Sequence, residues 1–315
     1  MRHITDEHIT LDKPSAITLG NFDGLHMGHR RLIELTKEWA EKENLQSVVY
    51  SFNPHPMFLF NNKEHSALIL TREEKLYAIE KTGVDVYAEQ TFTREFAATS
   101  PEGFMDYLFG DLNAKVVVVG ENYTFGSKGM GKVDLLQKRG EELGVRVISV
   151  PIINIDGERV CSTRIRSCLV DRDIETANKL LVEPYFILGT VIEGKKLGRT
   201  IGFPTINIKA DLIKLFPPNG VYASMTFYEG KTYFGVTNVG FNPTVNGQFK
   251  VVETFLFDFH KMIYGESVRT NFYKWIRSEQ KFGSVEELMN QMKKDAQKAK
   301  DYFDSPEFDI WREKY

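Results

Sequence analysis

The stretch GNFDGLHMGH, Gly20–His29, lies between a short apolar run, Ala16–Gly20, and a helix-period pattern, Gly28–Glu43. Its glycines allow a tight turn between a strand and a helix. In open α/β sheets such a turn brings backbone N–H groups and the positive end of the helix close to phosphate. The stretch therefore predicts a parallel sheet with a phosphate-binding turn after its first strand.

The same alternation of short apolar runs and helix-period segments continues to about Val150. The predicted strands are Ala16–Gly20, Ser47–Phe52, Asp85–Glu89, Lys115–Gly120 and Arg146–Pro151. The predicted crossover helices are Gly28–Glu43, Arg72–Thr82, Pro101–Leu108 and Val133–Leu143. Strands that alternate with helices predict a doubly wound, Rossmann-like α/β domain.

The pattern changes at Pro184, after two short helical stretches at Ser162–Leu169 and Asp173–Leu181. Proline opposes continuation of a helix, so we predict two domains, residues 1–184 and 185–315. Period-two alternation then predicts antiparallel strands at Phe186–Ile192, Gly220–Tyr228, Thr232–Val239 and Val251–Phe257. Several short strands without long helices between them favour a small closed barrel.

A last helix is predicted after Ser284, which forms a capping-box pattern with Glu287. Its apolar residues recur at helical spacing and are assigned to core packing. They are Leu288, Met292, Ala296, Ala299 and Phe303.

Composition excludes several classes of protein. The 315 residues are 42% hydrophobic and 26% charged with a net charge of -3, which disfavours disorder and extended nucleic-acid coating. The longest aliphatic run, Val116–Val119, is too short to span a membrane. Cys161 and Cys168 fit neither a disulfide framework nor a zinc knuckle. We expect a cytoplasmic protein that has small-molecule substrates, binds no nucleic acid and need not form an oligomer.

His26 and His29 are three residues apart at the predicted start of the first helix, so they can face one ligand. Imidazole N–H donors at a triphosphate can stabilise the charge that grows on the α-phosphate during nucleotidyl transfer. The alternative is that His26 and His29 are ordinary surface or core histidines. Their position in the turn disfavours this alternative. A zinc site is a weaker alternative, because no third ligand is evident nearby.

The run GSKGMGKV, Gly126–Val133, nearly matches the P-loop pattern. Val133 stands where a hydroxyl would be needed, and the run does not follow the first strand. We interpret it as a flexible loop near the site.

Four runs of the first half occur in a fixed order. They are GNFDGLHMGH at Gly20–His29, SFNPHP at Ser51–Pro56, GENYTFG at Gly120–Gly126 and CSTRIR at Cys161–Arg166. With them the first half of the chain resembles the nucleotidyltransferase half of prokaryotic bifunctional FAD synthetases, which combine riboflavin kinase and FMN adenylyltransferase. The resemblance implies that FMN attacks the α-phosphorus of ATP while His26 and His29 hold the phosphates. It further implies nucleotide-binding roles for Gly20, Asn21, Phe22, Gly24, Gly28, Asn122, Ser162, Thr163 and Arg166. Capping of a helix alone is the alternative role for the two hydroxyls.

The run GKKLGRTIGFPTIN, Gly194–Asn207, carries the chemistry of the second half. A loop with Gly198 and Gly202 and the basic residues Lys195, Lys196 and Arg199 can wrap phosphates. Thr205 and Asn207, two apart on a strand, offer two oxygen ligands to Mg²⁺. A hydrogen-bonded turn is the alternative explanation of that pair.

This run resembles the GRxxGFPTxN signature of bacterial riboflavin kinases, whose fold is a six-stranded antiparallel barrel. The resemblance continues in GVYA at Gly220–Ala223, GVTNVGFNPTV at Gly235–Val245, YGE at Tyr264–Glu266 and RSEQKF at Arg277–Phe282. It implies that Glu253 is the general base for the ribityl hydroxyl and that Arg277 binds flavin. A salt bridge at the barrel rim is the alternative role for Glu253.

The sequence thus predicts an enzyme that phosphorylates riboflavin with ATP and adenylylates FMN to FAD, with Mg²⁺ in both steps. A tRNA synthetase would need a KMSKS-like loop and a basic RNA-binding face, which the run FGSKGMGK and the net charge of -3 do not supply. A flavin- or nucleotide-binding regulator with weakened activities is the remaining alternative. The presence of His26, His29 and Glu253 argues against it.

Overall fold

The computed structural model describes residues 1–60, 67–194, 198, 202–244 and 247–313, with the backbone alone at 241–244 and 247–249. The chain divides into two compact units, Met1–Ser162 and Thr163–Tyr315. In the described parts of the chain, no helix is both long and apolar enough to cross a membrane.

The first unit is built on a six-stranded parallel sheet with strand order β1-β4-β3-β2-β5-β8. Its strands are β1 (Arg2–Asp6), β2 (Ser15–Leu19), β3 (Gln46–Asn53), β4 (Val86–Thr91), β5 (Ala114–Gly120) and β8 (Arg146–Val150). Two small hairpins are formed by β6 (Thr124–Phe125) with β7 (Gly131–Lys132) and by β9 (Asn154–Ile155) with β10 (Glu158–Arg159). The helices are α1 (Met27–Glu43), α2 (Met57–Phe60), α3 (Arg72–Glu80), α4 (Arg94–Ala97), α5 (Pro101–Phe109) and α6 (Val133–Leu143).

Both faces of this sheet are covered, as a doubly wound fold requires. Along β5, Val117 and Val119 join one apolar cluster with Leu108 of α5. Val116 and Val118 join a second cluster with Leu32 of α1. Because all strands are parallel, the turns that follow β2, β3 and β5 lie at the same edge of the sheet, and they carry the motifs found in the sequence.

The predicted strands and crossover helices of this unit are confirmed to within about two residues. The edge strand β1 was not predicted, because most of its side chains are exposed and its apolar content is low. The run Gly126–Val133 begins as the loop of a small hairpin. Thr124 pairs with Lys132 and Phe125 with Gly131, and Phe125 is buried in the core. Residues 126–130 connect the two strands, and the end of the run leads into α6. The flexibility of this loop stays a prediction.

The second unit contains a closed barrel with strand order β11-β12-β15-β14-β13-β16. Its strands are β11 (Phe186–Ile192), β12 (Thr205–Lys209), β13 (Gly220–Tyr228), β14 (Lys231–Thr244), β15 (Gly247–Leu256) and β16 (Ser267–Ser278), and neighbouring strands are antiparallel. Its helices are α7 (Ser162–Val170), α8 (Ile174–Leu180), α9 (Val285–Phe303) and α10 (Pro306–Arg312). The predicted six-stranded antiparallel barrel is confirmed.

Helix α8 is tied to the barrel ahead of the predicted boundary. The Asn178 amide donates to the Phe272 carbonyl and accepts from the Tyr185 N–H, both at 2.8 Å. Arg269, buried on β16, pairs with Glu183 at 3.1 Å. The boundary at Pro184 stays a prediction, because these contacts do not show where an independently folding chain must begin.

Helix α9 begins at Ser284, whose side chain accepts from the Glu287 N–H, as the capping pattern predicts. Ala299 and Phe303 pack in the core with Tyr273 and Phe308. Leu288 and Met292 do not follow the prediction of core packing. They line a cavity that residues of β12, β13, β14 and β15 also line.

Candidate active sites

His26 is the N-cap of α1, and its Nδ1 accepts a hydrogen bond from the His29 backbone N–H at 3.4 Å. This capping fixes the ring at the carboxyl edge of the parallel sheet, where the positive end of the helix points. The two imidazole rings stack with centroids 3.7 Å apart. The structure therefore brings the two predicted histidines together as one unit.

Three residues of the turn have backbone conformations with positive φ: Phe22, Gly24 and Leu25. The Phe22 ring is buried and lies 5.1 Å from the His29 ring. A Cβ at Gly28 would lie 3.2 Å from the His26 ring, so a larger residue there would displace the ring. Gly20 and Asn21 lead into this turn directly from β2. The glycines of the motif thus serve the placement of the histidines.

Both imidazoles are uncharged at neutral pH. Burial, with a smaller contribution from the Arg159 charge, lowers the pKa of His26 to about 4. Burial, His26 and Lys75 together hold the pKa of His29 well below its usual range. The His29 Nδ1 atom is buried without a hydrogen-bond partner among the described residues. A neutral imidazole can donate an N–H to phosphate oxygen without a strong charge of its own.

Asp23 and Ser162 brace the turn. The buried Asp23 carboxylate accepts from the backbone N–H groups of Ile69 and Leu70, at 3.2 and 2.9 Å. The Ser162 hydroxyl donates to the Asp23 carbonyl at 2.7 Å, so it does more than start a helix. Sequence reasoning missed Asp23, because a carboxylate in a glycine-rich turn resembles any turn residue.

The other residues predicted for this site are placed by their elements. Asn122 is exposed after the carboxyl end of β5, which neighbours β2 in the sheet. Thr163 and Arg166 follow Ser162 in α7, where they belong to the second unit. Two cations near the histidines, Arg159 and Lys75, were not predicted from the sequence.

The second candidate site is a cavity of about 350 Å³ in the second unit. Polar and apolar side chains face it from the barrel, from the segment after β16 and from α9. The lining residues include Thr205, Asn207, Val221, Val236, Asn238, Glu253, Phe255, Arg277, Glu279, Leu288, Met292 and Asp295. Three of the residues predicted for phosphate transfer, Thr205, Asn207 and Glu253, thus share one cavity.

Glu253 lies on β15 between two asparagines of the neighbouring strands. It pairs in register with Asn207 on β12 and with Asn238 on β14. The Thr205 hydroxyl donates to Glu253 Oε1 at 2.6 Å. In the part of the chain that the structure describes, no cation pairs with Glu253. The alternative of a rim salt bridge is therefore not supported.

The loop before β12 is described only in part. A Cβ at Gly198 would clash with the Phe203 carbonyl, and the Phe203 N–H donates to the Gly198 carbonyl at 2.8 Å. Gly202 has a φ of 80°, which favours glycine. The predicted phosphate-wrapping residues Lys195, Lys196 and Arg199 lie outside the described residues.

Arg277 contributes to the cavity wall but is held by α9. Its guanidinium donates to the Asp295 carboxylate through Nε at 3.0 Å and through Nη2 at 2.7 Å. Gln291 donates to the same carboxylate at 2.8 Å. Asp295 and Gln291 were not predicted from the sequence, since a carboxylate inside a charged helix gives no local sign of burial.

A metal site can be tested on the donor chemistry alone. Among the described residues, no three His, Cys, Asp or Glu side chains gather in a way that could hold a metal, which opposes the zinc alternative at His26 and His29. The hydroxyl of Thr205 and the amide oxygen of Asn207 are hard oxygen donors in a cavity large enough for phosphates. Mg²⁺ typically takes one or two protein oxygens and completes its shell with water and phosphate, so these two residues fit it.

Two family models match the chain. The one described as FAD synthetase matches residues 8–164, and the one described as riboflavin kinase matches residues 181–303. They fall on the parallel-sheet unit and on the barrel, in that order.

Curated relatives match nearly the whole chain. The bifunctional riboflavin kinase/FMN adenylyltransferase of Bacillus subtilis is 38% identical, over 96% of this chain and 97% of the relative. The proteins of the same name from Haemophilus influenzae and Escherichia coli K12 are also 38% identical, over 92% and 91% of this chain and 94% and 92% of their own.

A solved structure from Streptococcus pneumoniae, described as a macrolide-efflux protein, has the same fold. Its TM-score is 0.85 at 32% identity, and the match covers 94% of this chain and 97% of that one.

Proposed function

Since the chain belongs to the family of bifunctional riboflavin kinases/FMN adenylyltransferases, we propose that its two sites divide the two reactions between them. The enzyme phosphorylates riboflavin with ATP and adenylylates FMN to FAD, so ATP and flavins are its substrates. Adenylylation is assigned to residues 1–184 and phosphorylation to residues 185–315. The observation that carries this division is that each unit holds its own constellation, the stacked histidines in one and the Glu253 cavity in the other.

In the adenylyl step, a phosphate oxygen of FMN attacks the α-phosphorus of ATP, and the bond to the leaving pyrophosphate breaks. His26 and His29 donate N–H groups to the phosphates, whose charge increases in the transition state. The turn Gly20–Gly28 and the residues Asn122 and Ser162 bind the nucleotide, and the nucleotide-binding role of Thr163 and Arg166 stays a prediction. Arg159, whose charge acts on His26, supports the same anionic ligand.

In the kinase step, Glu253 accepts the proton of the ribityl hydroxyl as its oxygen attacks the γ-phosphorus of ATP and ADP leaves. The Thr205 hydroxyl, at 2.6 Å, holds the carboxylate in place before substrate binds. Thr205 and Asn207 would hold Mg²⁺, which neutralises phosphate charge when it is bound. Gly198 and Gly202 shape the phosphate loop.

The apolar part of the cavity fits the flavin ring. Val221, Phe255, Leu288 and Met292 offer apolar surface, and Arg277 offers a planar cation near them. Arg277 thus has a direct role in flavin binding in addition to its pairing with Asp295. The cytoplasmic location stays a prediction.

A test uses three proteins with riboflavin, Mg²⁺ and ATP, and chromatography separates riboflavin, FMN and FAD. The unchanged protein should form both products, and His29→Ala should stop largely at FMN, with FAD formation reduced about 10²–10³-fold. Glu253→Gln should form FAD only from supplied FMN. A parallel fall of both products in His29→Ala would show that the sites are not independent. If the unchanged protein formed neither FMN nor FAD, the alternative of a flavin- or nucleotide-binding regulator would be favoured.

A further inference from the structure

Lys75 is a buried lysine at the carboxyl edge of the parallel sheet. It lies in α3, and its side chain is 7% exposed. Its Nζ donates to the Ser51 hydroxyl at 3.2 Å and to the Phe52 carbonyl at 3.4 Å, both near the carboxyl end of β3. An ammonium group therefore lies behind the turn that carries the histidines.

A chain of hydrogen bonds joins Lys75 to that turn. The buried Ser51 hydroxyl can donate to the Asn21 carbonyl at 3.3 Å, and it also hydrogen-bonds the Tyr87 side chain. Ser51 accepts from Lys75, whose ammonium has donors and no acceptor. Lys75 is thus joined through Ser51 to Asn21, in the turn between β2 and α1.

Helix α3 does not need this lysine to form. Thr71 and Glu74 make a complete capping box at its start. Burial lowers the pKa of Lys75, while Glu89 and Asp23 act in the opposite direction and Arg72 adds to the lowering. A buried charge is costly where an apolar side chain could pack, and such residues concentrate at functional sites.

We propose that Lys75 is a positioning residue for adenylyl transfer, which fixes the turn at Asn21 so that His26 and His29 meet the phosphates of ATP. The proposal rests on the proposed role of the histidine pair. Lys75 acts through Ser51 and through its charge.

The pH dependence of adenylylation distinguishes this role from a purely structural one. The groups whose charges act on His29 are His26 in the turn and Lys75 in α3, and Arg159 of β10 acts in turn on His26. The charge of Lys75 contributes to the lowered pKa of His29. Without it, His29 takes up a proton at a higher pH, so the acid limb of the rate moves upward in pH.

The experiment compares Lys75→Met, Lys75→Arg and Ser51→Ala in the full chain, with Lys37→Met as the matched control. Lys37 also donates to a backbone carbonyl, that of Thr82 at 2.6 Å, but Thr82 precedes β4 at the amino edge of the sheet. Lys75→Met should lower kcat for FMN adenylylation about 10–100-fold and shift its acid limb to higher pH. Lys75→Arg should keep the limb in place. Ser51→Ala should lower kcat with little change in Tm, and riboflavin phosphorylation should not change in any variant.

Two outcomes would overturn the proposal. In the first, Lys75→Met lowers kcat for adenylylation equally at every pH, and Ser51→Ala does not lower it. In the second, the fold-losses in kcat of Lys75→Met and His29→Ala multiply in the double variant, so the two residues act independently. If His29→Ala itself retains full adenylylation, the proposed function of the histidine pair fails instead. Purely additive effects with an active histidine pair would remove only the role of Lys75.

Discussion

Glu253 acquires its position from strand pairing. On β15 it lies opposite Asn207 and Asn238 at once, so three polar side chains meet on one face of the barrel wall. The Thr205 hydroxyl restrains the carboxylate further. A base held in this way loses little entropy when the hydroxyl of the substrate arrives.

Glu253→Gln keeps the shape of the side chain but removes its ability to accept a proton. Riboflavin phosphorylation should fall about 10²–10⁴-fold in kcat, with little change in riboflavin binding. Adenylylation of supplied FMN serves as the internal control. A loss below about tenfold in kcat would mean that Glu253 only braces the barrel and that positioning carries the chemistry.

His26 should make the first unit sensitive to acid. Its pKa is about 4 in the folded protein and 6.5 when exposed, so the unfolded chain binds the proton more readily. The contribution of neutral His26 to the free energy of unfolding is fully present above about pH 6.5. It is lost as the pH falls toward 4, by up to about 3 kcal/mol. His29, also lowered, acts in the same direction.

Thermal unfolding of the first unit between pH 4 and 7.5 measures this loss. His26→Asn keeps an N-cap acceptor and should flatten the profile. An unchanged acid profile in that variant would show that other groups cause the loss.

Residues whose chemistry is written in a local motif could be predicted, and those that depend on packing could not. His26, His29, Thr205 and Glu253 lie in recognisable runs. The structure brings His26 together with His29, and Thr205 together with Glu253, as expected. Lys75 lies in an ordinary charged helix, and only the tertiary fold buries it.

At the scale of elements, α9 combines two roles that the helical spacing of its apolar residues alone does not distinguish. Its C-terminal half packs in the core through Ala299 and Phe303. Its N-terminal half lines the cavity through Leu288 and Met292. The clasp between Arg277 and Asp295 lies where these halves meet, so it sets the position of the cavity wall.

Asp295→Asn should loosen this wall. The carboxylate side chain is 3% exposed, and loss of one partner of a buried pair costs a few kcal/mol, here about 2–3 because Asn retains some hydrogen bonds. The KM for riboflavin should rise, while adenylylation of FMN should be unaffected. Urea unfolding and kinase kinetics measure the two effects. A stability loss with an unchanged KM would limit α9 to a structural role.

Regular buried strands were predictable because uninterrupted apolar runs bounded by turn residues have few alternatives. The strand β1 and the hairpin β6–β7 were not, since their pairing is decided by neighbours far along the chain. Val86 of β4, for example, is the partner that makes a strand of Arg2.

At the scale of the whole molecule, we expect the second unit to fold and to be active when it is produced as a separate chain. A chain that begins at Thr163 and one that begins at Tyr185 should both form FMN, because each contains the barrel and α9. The shorter chain lacks Asn178 and Glu183, which bond to Tyr185, Phe272 and Arg269. It should be less stable by about 3 kcal/mol, or roughly 10 °C in Tm.

Calorimetry of the two chains, with FMN formation measured in parallel, checks this expectation. Equal Tm values would show that α8 is dispensable. An inactive chain from Thr163, beside an active full-length protein, would show that the barrel depends on the first unit.

Closure of the barrel has a consequence for the order of events during synthesis. Strand β11 pairs with β16, so Phe186 must wait for Asn271 before the ring of strands can close. The parallel sheet, by contrast, has all its strands before the barrel begins and can fold while the rest of the chain is still being translated. Until β16 has been synthesised, the barrel strands have open edges. Closure also has to bring together β11 and β16, which are far apart in the chain, and such closure is slow. A ribosome pause between β15 and β16 would therefore prolong the stage at which the nascent chain is most prone to aggregate.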